Sequence, residues 1–361
     1  MKTLTLDQSF MRRALLLARR GVGSTHPNPR VGAVVVLNGK IIGEGWHKSA
    51  GMPHAEPLAL ADAGERAKGA TLYVTLEPCA AKGRTPACVD AVLAAGIARL
   101  VYASRDPNPR MAGGARLLRQ AGLEVCGDVL ADEAFILNRA FFHFVHHQRP
   151  WVMAKAAMSL DGKLATHQYH SQWITGEKAR KKTHRLRAES DALIVGSGTL
   201  HHDNPSLTVR GTKKKGHALL RVIIADETPI FKEDYKICSG DFPSLILVSK
   251  HNHQTALWQA VSVDIVQCDS LILMLKALGE RGCLQLMLEG GGRLFASFLE
   301  SQLIDELVLF QAPLLIGGEA APSLWHGLGV KDLGCCPELQ EVSYRRMGKD
   351  MMIRGLLSYP S

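Results

Sequence analysis

No run of about 18 apolar residues occurs anywhere in the 361-residue sequence, and Met1 to Asp7 carry neither an apolar signal core nor a cleavage site. A membrane span and an export signal are therefore not expected, and a cytoplasmic location is. Aromatic residues make up only 6% of the chain and nowhere interleave with a basic run, so a stacking platform for single-stranded nucleic acid is not supported. Eight cysteines in a chain of this length are too few for a disulfide framework. Cys335 and Cys336 are adjacent, a spacing that rarely reaches disulfide geometry without strain. The dinucleotide fingerprint G-x-G-x-x-G is missing, and no repeat relates the two halves.

What is present describes an ordinary globular protein of two domains, with 46% hydrophobic and 21% charged residues. The net charge of +9 is spread along the chain, with Lys181-Lys182 and Lys213-Lys214-Lys215 as small clusters. That pattern fits an anionic small-molecule substrate at least as well as nucleic acid, and no nucleic-acid or membrane partner is expected. Residues 7–20 have helical periodicity with Asp7 as N-cap, and Val31–Leu37 and Lys40–Trp46 form a hairpin across Asn38-Gly39. Helices are expected at 53–63, 86–95, 114–121 and 132–146, alternating with strands at 71–76, 99–103 and 123–126. The helical pattern stops at Gln148-Arg149-Pro150, giving domains at 1–147 and 150–361. The second half alternates again: helices at 176–188, 271–281 and 294–299, strands at 151–156, 192–196, 220–225, 244–248, 261–266, 284–288 and 306–310. The fold class is α/β in both domains.

The chemistry concentrates at His54-Ala55-Glu56, Glu77-Pro78-Cys79 and Cys88. Any one of these residues alone would be an ordinary core residue. Together, one imidazole and two thiols make three ligands of the kind Zn²⁺ prefers, with a fourth tetrahedral position open and a carboxylate two residues from the imidazole. His54 and Glu56 fall in the first turn of an expected helix. Cys88 follows Thr85-Pro86, read as N-cap and first helical residue, where a helix N-terminus favours thiolate. This is the H-x-E…P-C…C pattern of zinc-dependent deaminases, with Glu56 as the proton carrier. Eight residues separate the cysteines instead of two. The intervening loop carries Lys82 and Arg84, and Arg84 is suited to a substrate phosphate. Glu289-Gly290-Gly291-Gly292-Arg293, between a strand and a helix, would let backbone N–H groups approach a phosphate.

Thr25-His26-Pro27-Asn28-Pro29-Arg30-Val31-Gly32-Ala33-Val34, the zinc-type motifs and Gly83-Arg84-Thr85-Pro86 together resemble the bifunctional deaminase-reductases of riboflavin biosynthesis. In the second half, 155–163, 171–175 and 203–210 resemble the reductase motifs in order. The resemblance implies a cytidine-deaminase-like α/β/α domain followed by a dihydrofolate-reductase-like α/β domain. It implies one Zn²⁺ per chain on His54, Cys79 and Cys88, with Glu56 as catalytic acid and base. Asn28, His47 and Arg84 would bind the phosphorylated pyrimidine substrate of the deaminase. Ala157, Trp173, Thr199, Asp203, Gly291, Gly292, Arg293, Leu294, Phe295, Ala296 and Ser297 would line NADPH. Lys155, Ser171, Arg187, Leu207, Arg210 and Glu289 would hold the reductase substrate. The pattern departs from many members at Ala81 and Ala87, where His and Pro are common. A homo-oligomer is compatible with the family.

Two other readings compete. One is a nucleoside or tRNA deaminase fused to an unrelated domain. The other is a non-catalytic zinc protein that binds nucleic acid, for which Glu56 and an open fourth ligand position have no use.

Overall fold

Twenty-four helices and strands are placed in the computed structural model, which describes residues 5–83, 86–212, 218–239 and 242–360. The chain divides into two units, Met1–Gln148 and Arg149–Ser361. In unit 1 the order is α1 (Leu6–Ala18), β1 (Gly32–Leu37), β2 (Lys40–Trp46), α2 (Ala55–Ala63), β3 (Thr71–Leu76), α3 (Cys88–Ala94), β4 (Arg99–Ser104), α4 (Gly114–Gln120), β5 (Glu124–Cys126) and α5 (Ala131–His147). The sheet order is β2-β1-β3-β4-β5, with β1 antiparallel to both neighbours and β3, β4 and β5 parallel.

Strand side chains alternate between two buried faces, as the period-2 pleat requires. Ala33, Val35, Leu72, Val74 and Leu100 pack with Ala55 and Ala59 of α2 and Val92 of α3 on one face. Val34, Tyr73, Val101 and Ala103 pack with Met11, Ala14 and Leu17 of α1 on the other. Helix α2 can lie close on β2 because its neighbours there lack side chains. A Cβ on Gly43 would fall 2.3 Å from Ala59 O, and one on Gly45 would fall 2.4 Å from Ala55 O. This approach fixes the N-terminal end of α2, where His54 and Glu56 sit. Helix α1 starts two residues earlier than expected. Thr5 is its N-cap in a capping box with Gln8, while Asp7 is inside the helix, accepting from Tyr73 and Arg99.

Unit 2 comprises β6 (Trp151–Met158), α6 (Glu177–Glu189), β7 (Ala192–Gly196), α7 (Ser197–Asp203), β8 (Leu220–Glu227), β9 (Ser244–Lys250), α8 (Thr255–Ala260), β10 (Asp264–Gln267), α9 (Leu271–Glu280), β11 (Gln285–Leu288), α10 (Gly292–Glu300), β12 (Glu306–Gln311), β13 (Glu338–Met347) and β14 (Asp350–Ser358). Its nine strands follow the order β10-β9-β8-β7-β11-β6-β12-β14-β13. The first seven are parallel, and β14 and β13 add antiparallel. Helices α9 and α10 cover one face through Leu275, Leu278, Phe295 and Phe298, and Leu186, Leu200 and Trp258 from α6, α7 and α8 cover the other. Each such fully buried apolar side chain contributes about 1.5–3 kcal/mol relative to exposure. The strand expected at 261–266 starts later, at Asp264 in β10, because 261–263 turn the chain after α8. No described helix is long and apolar enough to cross a membrane.

Candidate active sites

Antiparallel pairing of β1 with β3 sets the start of β1 beside the end of β3, where Gly32 N–H donates to Thr75 Oγ1 at 3.1 Å. The loop preceding β1, with Asn28, and the Glu77-Pro78-Cys79 turn after β3 therefore meet at one edge of unit 1. His54, expected inside the first turn, is instead the N-cap of α2 with extended backbone, since the helix starts at Ala55, and Glu56 lies in the first turn. Cys88 opens α3 with Ala87 as N-cap, and the expected cap Thr85 lies outside the described residues, as does Arg84.

His54 Nδ1 stands 3.2 Å from Cys88 Sγ and 3.7 Å from Cys79 Sγ, and the three donor atoms all lie within 4.8 Å of one another. Zinc–nitrogen and zinc–sulfur bonds of about 2.1 and 2.3 Å in a tetrahedron put donors roughly 3.6–3.8 Å apart, so this set fits the ion. Cys79 accepts from the Cys88 thiol, and from His54 and the Cys88 backbone N–H, which together pull its pKa down to about 4 against the effect of burial. The proton shared between the two sulfurs pushes Cys88 up. Glu56 is 3% exposed, and burial raises its carboxyl to about 7.

His47 is 2% exposed, with Nδ1 3.1 Å from Pro53 O and Nε2 3.0 Å from Asn28 Nδ2. Since a carbonyl can only accept, Nδ1 carries the proton and Nε2 accepts from Asn28. Burial lowers the His47 pKa, in keeping with this neutral tautomer. Both ring nitrogens are engaged, so His47 orients the Asn28 amide.

In unit 2 the carboxyl ends of β6, β7, β8 and β11 open into a cleft of about 1520 Å³, larger than the roughly 300–1,000 Å³ of an ordinary ligand pocket and roomy enough for a dinucleotide and a second molecule. Lys155, Ala157, Ser171, Trp173, Arg187, Thr199, Asp203, Arg210 and Glu289 line it, with Gly291, Gly292, Arg293, Leu294 and Ser297. Leu207 also borders the cleft, but its side chain is 2% exposed and packed in the core. Phe295 and Ala296 turn away: Phe295 packs on Trp325 at 5.8 Å between centroids, and both are buried. Neither side chain borders the cleft: Phe295 lies in the sheet-facing core, and Ala296 is buried near Gly327.

Arg187 meets Glu289 through a two-pronged contact, Nε to Oε1 at 2.6 Å and Nη2 to Oε2 at 2.8 Å. Burial alone would raise Glu289, but Arg187 and Lys155 outweigh it and hold the carboxyl at about 2. Burial lowers the Lys155 ammonium, opposed by Glu289. A Cβ at Gly290 would meet Leu294 at 3.6 Å and Gly196 N and Thr199 Oγ1 at 3.7 Å, ordinary contact distances, whereas Gly291 opens onto free space. This bare backbone at the start of α10 suits a dinucleotide phosphate.

Residues 4–104 match the family model for the cytidine and deoxycytidylate deaminase zinc-binding region, and residues 150–353 match that for the RibD C-terminal domain. The riboflavin biosynthesis protein RibD of Aquifex aeolicus is 42% identical over 356 residues, covering 96% of this chain and 98% of the relative. The chain belongs to the RibD family. The Escherichia coli K12 member is 38% identical, with 96% of this chain and 98% of that one covered. Among solved structures, RibD of Acinetobacter baumannii superposes with a TM-score of 0.88 at 34% identity, covering 98% of this chain and 99% of that one. The Thermotoga maritima structure, described as a diaminohydroxyphosphoribosylaminopyrimidine deaminase/5-amino-6-(5-phosphoribosylamino)uracil reductase, gives 0.87 at 32% identity with the same coverages.

Beyond the family's motifs, the structure adds candidates that sequence reasoning passed over. Glu77 accepts from Ala115 N–H at 2.9 Å and from Asp106 N–H at 3.2 Å, tying the turn before Cys79 to the loop after β4. Asp106 lies near His54 and Cys79, and burial, then the charges of Glu77 and Cys79, raise it to about 6. Its signal was available: Pro107-Asn108-Pro109-Arg110 repeats the Pro27-Asn28-Pro29-Arg30 that flanks the same site. In unit 2, His184 Nδ1 accepts from Arg210 N–H at 3.2 Å, one turn along α6 from Arg187.

Gly292→Ala separates the two sites. Its Cβ would fall 2.4 Å from Ser323 O and 2.6 Å from His326 Cδ2, so the start of α10 must shift. Reductase activity should fall at least tenfold with weaker dinucleotide binding, destabilisation should stay near 1–3 kcal/mol, and deamination should be unchanged. Steady-state assays of both activities on one preparation check this.

Proposed function

We propose that the chain's two units divide the work of the family between them. The chain is a bifunctional enzyme of riboflavin biosynthesis that uses Zn²⁺ and NADPH. Unit 1 deaminates 2,5-diamino-6-(5-phosphoribosylamino)pyrimidin-4(3H)-one, and unit 2 reduces the ribosyl side chain of the product to ribityl. The observation that carries this reading is the His54, Cys79 and Cys88 donor set with the buried Glu56 carboxyl beside it, in a chain whose second unit holds a dinucleotide-sized cleft.

His54, Cys79 and Cys88 would hold the metal, which when bound acidifies a water from a pKa of about 15.7 toward about 7. Glu56 takes the proton of the attacking water. It then delivers the proton to the exocyclic nitrogen, so that ammonia leaves in place of an amide anion. Asn28, held by His47, orients the pyrimidine, and Arg84 takes the phosphate. In unit 2 the dinucleotide supplies the hydride. Lys155, its ammonium weakened by burial, donates a proton to the opening ribosyl group, and Glu289 keeps it oriented. Arg210 binds the substrate phosphate, while Arg187 is spent mainly on Glu289.

Incubation with the diaminopyrimidine nucleotide, followed by mass, tests the whole reading. Without NADPH only the deaminated product should form, and with NADPH the ribityl product. Chelation of zinc should abolish the first step and spare reduction of separately supplied deaminated substrate. Deamination that survives complete metal removal would overturn the metal assignment.

A further inference from the structure

Helix α5 breaks its own geometry at one residue. Asn138 has φ −115 and ψ 17 inside an otherwise helical segment, and it is 5% exposed. Its side chain reaches across unit 1 to a residue 108 positions earlier. Asn138 Oδ1 accepts from Arg30 N–H at 2.8 Å, and Asn138 Nδ2 donates to Arg30 C=O at 2.9 Å. The Arg30 guanidinium also returns to the bend, donating to Leu137 C=O at 3.2 Å.

We propose that Asn138 is a positioning residue of the deaminase site, which clamps the Arg30 backbone and thereby fixes the loop that presents Asn28 to the pyrimidine. The proposal rests on the deaminase reading above. A carboxamide imitates a peptide group, and here it satisfies one N–H and one C=O at a residue that precedes β1 and lies outside the sheet ladder. Asn28 is two residues away. The loop's other ties, Asn28 N–H to Thr25 C=O at 2.8 Å and His47 N–H to Val31 C=O at 2.9 Å, flank the same segment. The clamp acts between them, so its loss frees the Asn28 amide to leave His47 Nε2. The groups that carry the chemistry stand elsewhere: His54 and Glu56 on α2, Cys79 after β3 and Cys88 on α3. Loosening the loop should therefore weaken substrate binding and spare the chemical step.

The test uses the full chain with Asn138→Ala, and with Asn138→Asp as a second variant that keeps the acceptor for Arg30 N–H but sets an oxygen against Arg30 C=O. Deamination KM should rise about tenfold, equivalent to losing one net hydrogen-bonding pair, while kcat stays within about threefold. Zinc content and reductase turnover on the same preparation should be unchanged. A KM within twofold of wild type in both variants overturns the proposal. So does a joint fall of kcat, zinc content and thermal stability, which would make Asn138 a merely structural residue. Wild-type deamination, measured alongside, tests the underlying reading separately: no wild-type turnover would sink that reading, whereas normal wild-type turnover with unaltered variants would sink only the clamp.

Discussion

Glu56→Gln should lower deamination by about 10²–10⁴-fold, leaving zinc content and the reductase intact. Gln has the same shape as Glu and keeps an acceptor oxygen, so the buried position can be filled without a cavity. What it loses is the ability to take a proton and give it back. The three donors that would hold zinc are His54, Cys79 and Cys88, and the substitution removes none of them. Burial raises the Glu56 carboxyl to about 7, near the pH at which a shuttle must both accept and release. A Cys88→Ser comparison separates the roles, since it should lose metal together with activity. Near-normal deamination by a zinc-loaded Glu56→Gln variant would remove Glu56 from the proton path.

The sequence made visible those parts of the fold that depend on neighbours in the chain. Alternating faces of β1, β3 and the parallel strands of unit 2 are buried on both sides, so they stand out as apolar runs. Strand β13 was missed for the opposite reason. Nearly every residue of β13 is exposed at the sheet edge, which erases the alternation that marks a strand. Helix α7 is only seven residues long and rich in polar groups, so its periodicity is too short to register. The three zinc donors were legible because their residue types and order are rare together. Asn138, Glu77 and His184 were not, because each acts on a backbone group far away in sequence and any polar residue in a helix or turn could have occupied its place. Within the contiguous stretch expected at the cofactor, a helix turns successive side chains about 100° apart, so Phe295 packs in the core while Leu294 and Ser297 border the cleft.

Arg187→Ala is expected to destabilise unit 2 by about 3–5 kcal/mol, because it leaves the Glu289 carboxylate buried without its main partner. The two side chains are only 15% and 13% exposed, so water replaces little of the lost contact. For a unit of this size, that corresponds to a Tm lower by roughly 10 °C. The acid dependence has a definite sign. Glu289 titrates near 2 in the folded chain and near 4.5 in the unfolded one, so the unfolded state binds the extra proton between those values. Its contribution, on the order of 3 kcal/mol, is therefore complete above about pH 4.5 and is lost as the pH falls toward 2. In Arg187→Ala the folded pKa moves back up and this acid-sensitive window flattens. Thermal scans at pH 7, 4 and 2.5 read both effects. The double variant Arg187→Ala with Glu289→Gln decides whether they are one: it should recover part of the loss, because no unpaired charge remains buried. Simple additivity of the two single variants would mean that Arg187 and Glu289 stabilise the cleft independently, and the ion pair would then not account for the loss.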